Sequence, residues 1–339
     1  MKGFRDIKVR RQLQAILQAL ANNEKPIGSE RISETLRLSG IELTDRAIRD
    51  YLMLTDSLGW TENFGRKGRK ITAEGRKELE TELVVDRVGF VSSKVEDLAF
   101  RMNFDLVKKQ GNIILNISYL RKEHLIKHIK KISQVYEKNL GMGKLLTVAD
   151  EDKMLGSFRV PKNHVAIGTI CSVSLNGIFL QHGIPMTSRF GSLVELLESK
   201  PKRFTQIISY DGTTIDPLEI FIRGKMTSIW AATQTGNGVI GVSFREIPSV
   251  SLSKAKELSH KVEECMLGGI LAFGSPNQPL LDMTVPQGRT GILVLAGLNP
   301  IAVLVEHGIE VSSKAMSTLF DYNSLMEYTE IEKYVKRHL

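Results

Sequence analysis

Seven side chains in this sequence have the types needed to hold one small anion. Arg189 and Arg245 each offer a planar fork for a carboxylate, and Cys171, Ser172, Asn176, Thr213 and Asn299 add directed polar groups. Several of them cluster around a phrase that occurs twice. Leu175-Asn176-Gly177 runs on to His182-Gly183-Ile184, and Leu298-Asn299-Pro300 runs on to His307-Gly308-Ile309. Taken singly, each arginine suits a surface or inter-half salt bridge equally well, so the candidate site rests on their convergence.

Other chemistry-bearing patterns are weaker. His124 and His128 stand i,i+4 on a helical pattern and could share a metal, but no third ligand is evident and the setting is lysine-rich. Gly236, Gly238 and Gly241 satisfy G-x-G-x-x-G, yet the pattern runs into Val242-Ser243-Phe244, a strand rather than the helix start a dinucleotide requires. Cys171 ends an apolar run and suits a core position as well as a reactive one. The repeated histidines fit a shared structural role better than catalysis. There is no G-x-S-x-G and no G-x-x-x-x-G-K-[ST]. These residues predict neither catalytic groups nor a cofactor or metal.

The elements that must position the candidates repeat. Gly111-Asn112-Ile113-Ile114-Leu115-Asn116-Ile117-Ser118-Tyr119 matches Gly236-Asn237-Gly238-Val239-Ile240-Gly241-Val242-Ser243-Phe244, and both read as buried strands. Each leads to an amphipathic helix. The first would bury Leu125, Ile129, Ile132, Val135 and Tyr136; the second Ala255, Leu258, Val262 and Met266. Glycines follow both, at 141 and 143 and at 268 and 269. Offsets of 121 to 127 residues indicate one duplicated module, with the paired Leu-Asn phrases as its turns. Two such halves, about 95–216 and 217–335, would form an effector domain over residues 84–335 with a ligand pocket at their seam. The joining stretch Tyr210-Asp211-Gly212-Thr213-Thr214-Ile215-Asp216 also suits plain turn chemistry.

Residues 1–83 have a different character. Val9, Leu13, Ile16, Leu17 and Leu20 make one helix face, Ser29 opens a helix burying Ile32 and Leu36, and Ser39-Gly40 makes a turn. Thr44 caps a third helix whose Ala47, Tyr51, Leu54 and Leu58 would face the core, with Arg46, Arg49, Asp50 and Met53 outward. A hairpin follows, with Arg66, Lys67, Arg69 and Lys70 crowded near Gly65 and Gly68, and then a helix over 73–83. Together these make a winged helix-turn-helix. Arg46 and Arg49 would reach base edges, while Thr44 and the four wing cations would hold phosphates. A solvated hairpin on a protein-binding winged helix is the plainer alternative.

Composition agrees with this division. Of 46 Lys+Arg and 38 Asp+Glu, residues 1–80 hold 16 and 12, so excess positive charge is densest there and suits an acidic partner such as double-stranded DNA. No apolar run approaches the ~20 residues of a membrane span. The start, Met1-Lys2-Gly3-Phe4-Arg5-Asp6, carries no secretory pattern, and two cysteines are too few for a disulfide framework, so a cytoplasmic location is expected. The expected fold class is α+β: a winged helix followed by a larger α/β-type effector domain built from a duplicated unit.

The winged helix followed by Gly168-Thr169-Ile170-Cys171-Ser172-Val173-Ser174-Leu175-Asn176-Gly177 resembles the NrpR-type repressors of archaeal nitrogen regulation. So do Tyr210-Asp211-Gly212-Thr213-Thr214-Ile215-Asp216-Pro217-Leu218-Glu219-Ile220-Phe221, Phe244-Arg245-Glu246-Ile247-Pro248, and residues 291–308. The resemblance covers nearly the whole chain. It implies a repressor that binds an inverted-repeat operator as a homodimer and is induced by 2-oxoglutarate. Some relatives carry two effector domains in tandem; this chain has room for one, which opens the question of a second NrpR-type chain as partner. Two other classes remain open on the residues alone: a small-carboxylate enzyme with an appended winged helix, and a protein-interaction module.

Overall fold

The computed structural model describes residues 7–23, 25–38, 41, 43–80 and 90–339. The turn expected at Ser39-Gly40 and the boundary expected at 83/84 lie outside the described residues. The chain divides into two compact units, Met1–Gly89 and Phe90–Leu339.

In the first unit, α1 (Ile7–Ala21), α2 (Ser29–Leu38) and α3 (Asp45–Ser57) precede a two-stranded wing, β1 (Thr61–Asn63) and β2 (Arg69–Ile71), and then α4 (Ala73–Glu80). Ile16, Leu17, Leu20, Ile32 and Leu36 form its core with Ile48, Leu52 and Ile71. Thr44 caps α3, its hydroxyl accepting the Ala47 N–H at 3.2 Å. The buried stripe of α3 is Ile48, Leu52 and Thr55, not the expected stripe of Ala47, Tyr51, Leu54 and Leu58. Leu54 and Leu58 remain 36% and 37% exposed. Thr55 is tolerated in the core because its hydroxyl donates to the Leu52 carbonyl at 3.0 Å and meets Thr61 Oγ1 at 2.8 Å.

The second unit opens with α5 (Val91–Arg101). A first series follows: β3 (Asn112–Arg121), α6 (Lys122–Glu137), β4 (Leu145–Ala149), the small hairpin β5 (Met154–Leu155) and β6 (Phe158–Arg159), β7 (His164–Ile170), α7 (Val173–Gln181), β8 (Thr187–Leu197) and β9 (Lys200–Ser209). The second series is α8 (Pro217–Arg223), α9 (Ile229–Thr235), β10 (Gly238–Pro248), α10 (Leu252–Glu264), β11 (Ile270–Phe273), β12 (Arg289–Leu295), α11 (Asn299–Glu306), β13 (Ser312–Asp321), β14 (Met326–Glu327) and α12 (Ile331–His338). The repeat is therefore structural, with β3 answering β10, α6 answering α10 and α7 answering α11. The buried faces of α6 and α10 match expectation, except that Met266 lies beyond the end of α10 and is partly exposed.

The two series exchange strands. One sheet has the order β13-β3-β7-β4-β14 and the other β11-β12-β10-β8-β9. Thus β8, near the end of the first series, pairs with β10, while β13 from the second series pairs with β3. All pairings are antiparallel, which makes the class α+β. The 216/217 boundary separates two sequence copies, but each folded sheet draws on both.

The repeated Leu-Asn phrases lie on helices rather than turns. From Val173 to Phe179 every residue of α7 is buried, and Asn299 to Leu304 are buried in α11. A helix that is apolar all round carries no amphipathic period, so its pattern resembles a buried run. His182 and His307 end these helices, each ring Nδ1 lying against the carbonyl four residues back, 2.8 Å from Ile178 and 2.7 Å from Val303. Gly183 (φ 75°) and Gly308 (φ 79°) then take the left-handed conformation. Ile184 N–H closes on the Phe179 carbonyl at 2.9 Å and Ile309 N–H on Leu304 at 3.1 Å, the bonding of a Schellman stop. This accounts for the recurrence of His-Gly-Ile by helix termination.

Candidate effector cavity and DNA-binding surface

Two equivalent strand-to-helix turns meet inside the second unit. One leaves β7 through Cys171-Ser172 and the other leaves β12 through Ala296-Gly297-Leu298. A Cβ on Gly297 would collide with the carbonyl oxygen of Ile170, so only glycine permits this approach. Between the turns is a small cavity of about 20 Å³, room for roughly one water. Its polar lining is Asn116 from β3, Cys171, Ser172, Ser188 from β8, Tyr210, Asp216 at the start of α8, and Arg245 from β10.

Arg245 dominates this site. It is 1% exposed, and all its bonds go to neutral groups. Nε donates to Ser243 Oγ at 3.2 Å, Nη1 to the Ser172 carbonyl at 2.8 Å and to Asn176 Oδ1, and Nη2 to Ser172 Oγ at 2.7 Å. Guanidinium carries five N–H donors, so one on Nη2 remains for a ligand. Burial disfavours its charged form, but arginine keeps its proton at any accessible pH. Burial pushes the Cys171 thiol up to about 11, which leaves it protonated and unsuited to nucleophilic work. The Tyr210 hydroxyl, also raised by burial, donates to Ser243 Oγ at 3.2 Å.

A second charged layer backs the cavity. Asp216 caps α8, Oδ1 accepting the Leu218 N–H at 2.8 Å. Burial first, and then the neighbouring Glu219, push its carboxyl up to about 6. Glu219 Oε1 accepts the Ala315 N–H at 2.6 Å, while Lys94 Nζ from α5 donates to the Ala315 carbonyl at 3.3 Å. Burial raises the Glu219 carboxyl and lowers the Lys94 ammonium. Both grip β13 at its register shift, beside the cavity.

Of the seven expected anion-site residues, Cys171, Ser172 and Arg245 line the cavity and Asn176 holds Arg245 from behind. The other three lie elsewhere. Arg189 borders a separate cavity of about 520 Å³ and pairs with Glu246 at 3.5 Å, because β8 alternates faces and Ser188 takes the inward position. Thr213 makes a turn, its hydroxyl donating to the Ile215 carbonyl at 2.9 Å. Asn299 is saturated: its amide donates to the Leu140 and Gly241 carbonyls, each at 2.9 Å, and its oxygen accepts Gly241 N–H at 3.1 Å. Asn116, Tyr210 and Asp216 are lining residues that pattern reading passed over; Asp216 stands immediately before Pro217 and looked like plain turn chemistry. A larger cavity, about 620 Å³, brings Glu263, Glu264 and Glu327 together against Lys144, and so suits an anion poorly.

On the first unit, Arg46, Arg49, Asp50 and Met53 are exposed on α3, and neither arginine has an ion pair among the described residues. Arg66 and Lys67 are exposed at the wing tip between Gly65 (φ 63°) and Gly68 (φ 98°). Lys70 is half-buried. Arg69 is tied down, its Nε bonding Asp56 Oδ2 of α3 at 2.8 Å while Asp56 Oδ1 accepts Thr61 Oγ1 at 2.5 Å. That network ties the wing to α3. No helix among the described residues is long and apolar enough to cross a membrane.

A winged helix with an exposed arginine stripe, joined to a duplicated unit with a charged cavity at its seam, defines the class of winged-helix regulators with an effector domain. The comparisons specify the family. The NrpR regulatory-domain model, NRD1 and 2, matches residues 88–327, and the winged-helix domain of ribonuclease R matches residues 14–79. The chain belongs to the NrpR family. It is 32% identical to the global nitrogen regulator NrpRI of Methanosarcina mazei over 95% of this chain and 99% of that protein. It is 30% identical to the global nitrogen regulator NrpR of Methanocaldococcus jannaschii, of which it spans 54%. A crystal structure of a nitrogen repressor-like protein from Methanococcus jannaschii shares 28% identity with a TM-score of 0.60, covering 70% of this chain and 98% of that one.

Proposed function

We propose that this protein is a transcriptional repressor of nitrogen-assimilation genes that binds an inverted-repeat operator as a homodimer and releases it when 2-oxoglutarate enters the Arg245 cavity. The observation that carries the effector reading is a fully buried arginine, bonded only to neutral groups, with a free N–H on a cavity between two sheets that exchange strands. No carboxylate is hydrogen-bonded to this guanidinium, and a donor left over at low dielectric favours an incoming anion that can bond it directly. The nitrogen-regulator names of the relatives support the physiological role. Their regulatory character also favours a switch over an enzyme.

The ligand has more heavy atoms than a water-sized space admits, so binding requires the seam to open. Opening shifts β8 and β13, the exchanged strands, and this gives the ligand the differential affinity for two states that any switch requires. A coupling of about 1–3 kcal/mol corresponds to a 5–150-fold change in DNA affinity. Some relatives are nearly twice as long as the region they share with this chain, which favours a second copy or a second NrpR-type chain supplying the other effector unit. Calorimetry with 2-oxoglutarate tests the ligand assignment: saturable binding is expected, and its absence at millimolar concentration would remove it.

A further inference from the structure

We propose that Asp216 is a recognition residue of the Arg245 cavity that binds a ligand carboxylate as the neutral carboxylic acid, so that ligand entry takes up one proton from solvent. The inference rests on reading the cavity as a carboxylate site. Asp216 and Arg245 line the same small cavity, yet no bond joins them. Asp216 commits Oδ1 to the α8 cap, which leaves Oδ2 as the oxygen able to carry a proton toward a ligand.

The charges around Asp216 decide which group yields. Lys94 from α5 and Arg245 from β10 are positive; Glu219, one turn along α8, is negative. Lys314 of β13 stands behind Lys94, while Tyr210 and Cys171 face the cavity in neutral form. Without ligand, Asp216 and Glu219 balance Lys94 and Arg245. A dicarboxylate would add two negative charges to a space with little solvent, and one resident carboxylate must neutralise. Glu219 is held by the Ala315 N–H and by Arg223 at 3.5 Å. Asp216 has only backbone donors at its cap and is already poised at about 6. It is the group that protonates, and its new O–H donates to the ligand.

The linkage is measurable because both carboxylates of 2-oxoglutarate stay ionised between pH 6 and 8. Titration calorimetry of the full chain with 2-oxoglutarate, at pH 6, 7 and 8 in phosphate and in Tris, reports affinity and protons exchanged together. The expected result is a Kd rising about tenfold from pH 7 to pH 8, with uptake of close to one proton at pH 8. Asp216→Asn and Asp216→Ser, both capable of capping α8, should lose the pH dependence and the uptake. A Kd independent of pH without proton uptake in the unaltered protein overturns the proposal while leaving the carboxylate site standing. Failure to bind at every pH overturns both, and is a distinct result. The wild-type uptake measurement does not depend on either variant folding.

Discussion

At the residue scale, Arg245 and Asp216 line one cavity, and each makes a separate prediction. Replacing Arg245 with Met removes the charge and its donors but keeps much of the volume. The loss of a charge-assisted bond, about 1.5–3 kcal/mol, should weaken 2-oxoglutarate roughly 10–100-fold in calorimetry while ligand-free DNA binding is kept. Unchanged affinity would show that the ligand does not use this arginine. For Asp216, the folded carboxyl lies above its unfolded value, at about 6. Its favourable contribution to stability is therefore complete below about pH 4 and is lost as pH rises through 6. Asp216→Asn should stabilise the protein at pH 8 by about 1–2 kcal/mol, discounted for the solvent contact Asp216 retains, with the gap closing toward pH 4. Urea melts at the two pH values check this. The sequence grouped Cys171 and Ser172, beside a repeated phrase, with Arg245, after a repeated strand, because their types suit an anion, and the fold brings the three to one cavity. Asp216 was not grouped with them, because the stretch Asp211-Gly212-Thr213-Thr214 leading to it reads as plain turn chemistry. It is a cap, and its place on the cavity wall depends on the packing of β13 and β10 around it.

At the element scale, α3 and the wing act as one piece through the Asp56 bonds to Arg69 and Thr61. Arg49→Ala should cost about 1–3 kcal/mol on the operator and flatten sequence preference. Lys67→Ala should weaken operator and random duplex alike and reduce the salt slope by about one. Asp56→Ala should leave the helical circular dichroism unchanged but loosen the wing and lower affinity for every duplex; fluorescence anisotropy against salt separates the three. The winged helix could be read in the sequence because its contacts are local and its caps and glycines mark the boundaries. The core stripe of α3 was misplaced by one position because Thr55 counts as polar by type, although Thr61 and the Leu52 carbonyl satisfy its hydroxyl in the core. Similarly, α7 and α11 escaped recognition because burial on every side erased their period.

For the whole molecule, the strand exchange is the central feature. Side-chain periodicity does not show which strand pairs with which when partners stand far apart in sequence. The duplication could therefore be read, but the crossing of β8 and β13 could not. The exchange predicts that residues 90–216, expressed alone, do not fold to the native sheet, since β3 lacks β13 and β8 lacks β10. Differential scanning calorimetry of the full chain should show residues 90–339 melting as one cooperative transition, separate from the winged helix. The same exchange places the Arg245 cavity where opening must disturb both sheets at once.

The most direct test of that account is a single titration: the full chain against an inverted-repeat duplex and a scrambled duplex of equal length, with and without 2-oxoglutarate. The prediction is selective, salt-dependent binding to the inverted repeat that weakens 5–150-fold with 2-oxoglutarate, and a response abolished by Arg245→Met. Equal affinity for both duplexes, or operator binding indifferent to 2-oxoglutarate, would contradict it.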